Sequence, residues 1–156
     1  MLDIAYQRCT IIETRVQVLL RIYNAIVDSE PPFEVYNSDV VMSTLVLEHI
    51  PIRTFFASVA KMLKGGGYLL LTGMHAGMGR SSQAGFWDKK TGEKVRGESF
   101  VFENEEVVKE AEKNGFQLVG RVKERTVMED DVNELGVRAQ KWIGCTVWFG
   151  CIFMKV

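Results

Sequence analysis

The spacing of hydrophobic positions changes repeatedly along the chain, and each change marks an element. The β-branched run at residues 40–41, after the turn-like EPPFEVYNS, predicts a strand buried on both faces. From residue 52 to 63, Phe55, Phe56, Val59, Ala60 and Leu63 recur at helical spacing, and the KGGG that follows supplies a glycine stop. YLLLTG, residues 68–73, reads as a second buried strand. Strand, helix and strand in this order predict a right-handed parallel crossover and so an α/β fold.

Residues 76–99 are dominated by glycine and polar side chains, interrupted by Phe86 and Trp87, and DKKTGEK has the chemistry of a hairpin turn. The length of this excursion makes it a lid candidate, and Lys89, Lys90 and Lys94 read as a solvated hairpin tip. Asn104 is expected to cap a helix running to about Asn114, with Gly115 ending it. FQLVGRVKERTVM reads as a strand, DDVNELGVRAQKW as a short helix and TVWFGCIFMKV as a closing strand antiparallel to its predecessor. The stretch before the first strand carries two periods at once. Ile12, Val16, Leu19, Tyr23 and Ile26 fit a helix, whereas Val16, Val18, Leu20 and Ile22 alternate as a strand would.

Composition narrows the choice of partners. A chain of 156 residues, 47% hydrophobic and 25% charged, suits one domain with one core. Nineteen basic against 20 acidic side chains leave a formal charge of −1, which steers the chain toward neither nucleic acid nor an anionic membrane. Small-molecule or protein partners are expected. Cys9, Cys145 and Cys151 show no metal-like CxxC spacing, so buried thiols, no metal centre and a reducing, cytoplasmic location are expected. No apolar run approaches the roughly 20 residues needed to span a bilayer.

Four segments in order, FEVYNSDVVMSTLVLEHI, VAKMLKGGGYLLLTGMH, NGFQLVGRVKE and WFGCIFMKV, together resemble the C-terminal half of class I S-adenosylmethionine (SAM) dependent methyltransferases of the small-molecule type. The resemblance covers roughly residues 33–156, and MLDIAYQRC is similar to the helix that in this family follows the acid holding the cofactor ribose. It implies a partial Rossmann-like sheet of parallel strands with an antiparallel C-terminal hairpin, lacking the family's first two strands. The glycine-rich GxGxG turn and the ribose acid would both precede residue 1. KGGGY cannot replace that turn, because it follows a helix and precedes a strand.

From this follow further expectations: a single truncated domain over residues 1–156, no bound cofactor, and a stripped sheet edge that has to be covered. Because the family's partner strand is absent, a helix is favoured within residues 1–30, covering the core or meeting its copy in a homodimer.

Candidate chemistry gathers at the carboxyl ends of the strands, where open parallel sheets place ligands. Glu48 and His49 follow the first strand, and His75 follows the second. Histidine's ordinary pKa of about 6.5 suits it to moving protons near neutral pH. Met74, Met78, Phe86 and Trp87 would furnish an apolar substrate pocket under the lid. Should SAM bind after all, the resemblance implies Ser43 and Leu45 at its site. The leading expectation is a cofactor-free cyclisation or isomerisation of an apolar small molecule, assisted by His75, His49 and Glu48. The alternatives are SAM-dependent methylation completed by another subunit, and a non-catalytic dimerisation or regulatory subunit.

Overall fold

The computed structural model describes Leu19, residues 21–82 and residues 85–156. Strand β1 (Ser38–Thr44) leads through helix α1 (Ile52–Met62) into β2 (Leu63–Met74). A short helix α2 (Ala76–Ser81) and a two-stranded hairpin, β3 (Gly85–Trp87) with β4 (Lys94–Arg96), form the excursion. Helix α3 (Asn104–Lys113), β5 (Phe116–Thr126), helix α4 (Asp131–Leu135) and β6 (Thr146–Lys155) complete the chain. The main sheet has the order β1-β2-β6-β5, with β1 parallel to β2 and the other pairs antiparallel. This is the partial Rossmann-like sheet expected from the sequence.

The core lies on one face of that sheet. Leu69 and Leu71 of β2, with Phe149, Cys151 and Phe153 of β6, meet Phe55, Phe56 and Val59 of α1 and Val107 and Ala111 of α3. Phe56 is fully buried and stands edge-on to Phe55 at 5.2 Å and to Phe153 at 6.0 Å, with Phe116 also 6.0 Å away. Burying such a ring stabilises the fold by about 1.5–3 kcal/mol, and edge-on pairing adds about 0.5–1.5 kcal/mol. Gly73 lets a second ring in: a Cβ there would lie 2.7 Å from the Phe149 ring.

The expectation of strands buried on both faces is corrected. Among the described residues, Val40, Met42, Tyr68, Val119 and Ile152 are exposed on the opposite face. Cross-strand pairing sets Met42 beside Leu70, Leu70 beside Ile152 and Ile152 beside Val119 in one apolar row. The alternation of period 2 that a one-sided sheet requires is hidden in the sequence, because apolar residues occupy both sets of positions.

The glycine stop is also corrected. Helix α1 ends at Met62 because Leu63 turns extended, at φ −82° and ψ 143°, and the terminal carbonyls find a distant partner. Lys155 Nζ donates to the Ala60 carbonyl at 2.6 Å and the Leu63 carbonyl at 2.7 Å. A cation there also opposes the helix dipole. Gly65, Gly66 and Gly67 lie inside β2, at the irregularity in its pairing with β1, with Gly66 at φ +76°.

The cap of α3 is Glu103, one residue before the expected Asn104. Glu103 and Glu106 form a reciprocal capping box, while the Asn104 side chain donates to Glu124. Gly115, at φ +79°, follows the helix as expected. Residues 21–28 are coil and a turn, so the helix favoured for this region does not reach them; residues 1–18, and Cys9 among them, lie outside the described residues. The homodimer expected through this segment is untouched by these observations. No helix among the described residues is long and apolar enough to cross a membrane.

Burial pushes the Cys151 thiol up to about 12, which makes it a packing residue rather than a nucleophile. Asp131 is held below the usual carboxylate range, first by the Met128 N–H that it accepts at 2.8 Å and then by the Arg125 guanidinium paired with it. A depressed folded-state pKa contributes stability above the unfolded value of about 4 and loses it as pH falls through the folded value. Asp131→Asn therefore lowers the melting temperature at pH 7, and the gap to wild type closes on acidification below pH of about 4. Melting curves of both proteins across that range are the check, and a gap that is unchanged by pH would contradict the assignment.

Candidate functional site

The chain leaves β1 through a strained residue. Leu45 sits at φ 54°, in the left-handed region, while its N–H donates to the Thr72 carbonyl at 3.0 Å. Such backbone in a non-glycine residue costs on the order of 1–3 kcal/mol and persists where surrounding structure enforces it. A 3-10 turn, Leu47–His49, follows, pinned by the buried side chains of Leu47 and Ile50. Val46 and His49 are left facing outward.

Beside this turn lies a cavity of about 510 Å³, walled by Val41, Ser43, Val46 and His49 and by Phe55 and Val59 of α1. Residues 23–26 close its far side, with the Tyr23 hydroxyl 3.2 Å from Ser58 Oγ. This wall was not foreseen, since the segment has no regular structure that its pattern could announce. Ser43 is 7% exposed, and its Oγ has no hydrogen-bond partner among the described residues. A buried hydroxyl left unpaired costs about 1–3 kcal/mol, so it marks a place for a polar ligand atom. The His49 ring is exposed at the cavity wall. Glu48 keeps its Oε2 buried without a partner among the described residues, and its carbonyl accepts the Phe100 N–H at 2.8 Å.

His75 is placed differently. Its Nδ1 accepts the Gly77 N–H at 3.0 Å as the N-cap of α2, and its Nε2 lies 3.2 Å from Glu124 Oε1. The Nδ1 lone pair is occupied by the Gly77 N–H, and Nε2 faces Glu124, which Asn104 also contacts. Both ring nitrogens are thus engaged in holding α2, α3 and β5 together. Of the two histidines, His49 lines the β1-edge cavity and His75 does not. His75 N–H bonds the Val147 carbonyl on the β6 flank of β2, whereas the turn bearing His49 leaves from the β1 flank.

Three of the four side chains expected in an apolar substrate pocket are described. Met74 and Met78 are half-buried, and Trp87 is 67% exposed on the hairpin. None of the three lines the β1-edge cavity, and the Phe86 side chain lies outside the described residues.

The cavity suits one edge of a SAM site. Among its polar groups the buried Ser43 hydroxyl has no partner among the described residues, its walls are mainly apolar, and it adjoins the carboxyl end of a parallel strand. Of the two positions implied by the resemblance, Ser43 lines the cavity, while Leu45 lies between β1 and the following turn and does not line it. The 156 residues contain no GxGxG, so the phosphate-type glycine turn is not part of the fit.

Residues 2–71 match the family described as methyltransferase domain. The chain is 49% identical over 114 residues to an uncharacterized methyltransferase of Emericella nidulans, covering 70% of this chain and 40% of that protein. It thus spans well under two thirds of that relative's length. A SAM-dependent methyltransferase from Mesorhizobium loti superposes with a TM-score of 0.65 at 13% identity, over 97% of this chain and 75% of the other. The cyclase SpnF superposes with a TM-score of 0.57 at 14% identity, over 98% of this chain and 61% of the other.

These findings overturn the expectation of a cofactor-free cyclisation or isomerisation. The matching family and the similar sequence are methyltransferases, and the likeness to a cyclase is confined to the fold. They also support SAM, held above only as the alternative, in place of no cofactor.

Two outcomes follow from the geometry. His75→Ala removes a cap and lowers stability by about 1 kcal/mol, with His75→Asn restoring part of it; His49→Ala, at an exposed ring, changes stability by less than about 0.5 kcal/mol. Urea denaturation of the three variants is the check. Leu45→Gly relieves left-handed strain and raises stability by about 0.5–1 kcal/mol in the same assay.

Proposed function

We propose that this chain, which carries the C-terminal portion of the class I SAM-dependent methyltransferase fold, serves a SAM-dependent methyltransferase acting on a small molecule, with the carboxyl end of β1 as its cofactor edge. The observation that carries this reading is the unpartnered, buried Ser43 hydroxyl at that strand end. The 49% identity to a methyltransferase supports it.

When bound, SAM supplies a methyl group activated on a sulfonium. Ser43 offers its hydroxyl to a polar atom of the cofactor, and the backbone of Leu45 turns the chain aside to leave the strand end open. Val46, Ile50 and Phe55 line the cavity and exclude water from one side of it. His49 is the available proton acceptor for a methyl acceptor that loses a proton as its new bond to carbon forms; a ring nitrogen takes that proton. His75 is not assigned this role, because its Nδ1 accepts the Gly77 N–H and its Nε2 faces Glu124.

The test is ligand-observed NMR with S-adenosylhomocysteine and the full chain. Saturable binding is expected, weakened about tenfold by Ser43→Ala through loss of one hydrogen bond to the cofactor, with the melting temperature of the free protein not lowered. Absence of saturable binding, or equal binding by the variant, would overturn the placement of the cofactor edge.

A further inference from the structure

We propose that the cleft between the end of α2 and strand β4 is an oxyanion subsite that takes a phosphate or carboxylate group of the methyl acceptor. The cleft measures about 480 Å³ and is lined by Arg80, Ser81, Ser82, Lys94, Arg96 and Ser99, with Gly79 and Val101. Three cationic groups and three hydroxyls meet there, and among the described residues no carboxylate lines it. In a chain whose 19 basic and 20 acidic side chains nearly balance, that segregation calls for a negative partner.

The hairpin concentrates the charge. Lys94 and Arg96 are two apart on β4 and therefore share a face. Both side chains pack over Gly85 of β3: a Cβ there would lie 2.8 Å from the Val95 carbonyl oxygen, with Arg96 Cγ at 3.3 Å and Lys94 Cε at 3.5 Å next. Like charges so placed repel unless an anion lies between them. Arg80 is already steadied by Glu103, the cap of α3, yet its side chain is 61% exposed. Planar guanidinium groups and hydroxyls together match the oxygens of a phosphate or carboxylate.

The position of the cleft connects it with the cofactor edge. Ser99 and Val101 flank Phe100, whose N–H bonds the carbonyl of Glu48, the residue before His49. That bond ties the Ser99–Val101 wall of the cleft to the turn bearing His49. Assignment to the acceptor rests on the methyltransferase reading; binding of an oxyanion does not.

Titration of the full chain with inorganic pyrophosphate at constant ionic strength, followed by the amide resonances of Ser81, Ser82 and Ser99, tests this. Saturable shifts are expected, with affinity falling about tenfold in Arg96→Ala and unchanged in Lys109→Ala, an exposed lysine of α3. No saturable shift, or equal weakening by both variants, overturns the subsite. A repeat with S-adenosylhomocysteine present separates the sources of the anion. Simultaneous binding supports the acceptor; mutual displacement assigns the cleft to the cofactor's carboxylate and overturns the proposal. Pyrophosphate binding without any S-adenosylhomocysteine binding rejects the methyltransferase reading while the oxyanion subsite stands.

Discussion

The fold depends on how Phe56 is enclosed. This fully buried ring touches aromatic neighbours from α1 itself, from the start of β5 and from β6, elements separated by up to about a hundred residues of chain. It therefore fixes α1 against the sheet. Because α1 connects β1 to β2, its placement determines where the turn at residues 45–50 emerges. Lys155 adds a second constraint at the other end of the helix by binding its final carbonyls. Between the hydrophobic contact and the charged cap, the crossover is held at both its middle and its end, and the strained backbone at Leu45 is the local cost of that rigidity.

The two flanks of β2 have been put to different uses. On the β1 flank, a hydroxyl without a partner, an exposed imidazole and an apolar wall surround a cavity. On the β6 flank, a histidine of similar sequence position is consumed in capping a helix and binding a carboxylate. Equal placement at strand ends does not confer equal chemistry; what matters is whether the side chain's polar atoms are already satisfied. The excursion after β2 then brings a set of cations to the same end of the sheet, tied to the β1 turn through one backbone hydrogen bond, Phe100 to Glu48.

Some of this was legible in the residues alone. Helical spacing located α1 and its buried face, since the period of a helix is local and Phe55, Phe56 and Val59 satisfy it without reference to anything distant. The strand-helix-strand order and the final antiparallel pair followed from chain connectivity. The hairpin turn in DKKTGEK is closed by reciprocal bonds around Asp88, Gly92 and Glu93, as its composition indicated. The kinship to methyltransferases was carried by the order of four segments, none of them decisive singly.

What the tertiary structure alone decided has a common physical reason: it depended on partners far away in sequence. Lys155 caps a helix that ends some ninety residues earlier, so the neighbouring glycines took the credit in a local reading. Strand burial was misjudged because apolar side chains occur on both faces, and only the placement of the helices shows which face is covered. The difference between His49 and His75 rests on Gly77 and Glu124, and the cationic cleft on Gly85 opposite β4. The sequence by itself determined the elements, their order and the family likeness, because these are written in local period and motif order. Which polar groups remain free for chemistry was decided only when the sheet brought distant side chains together.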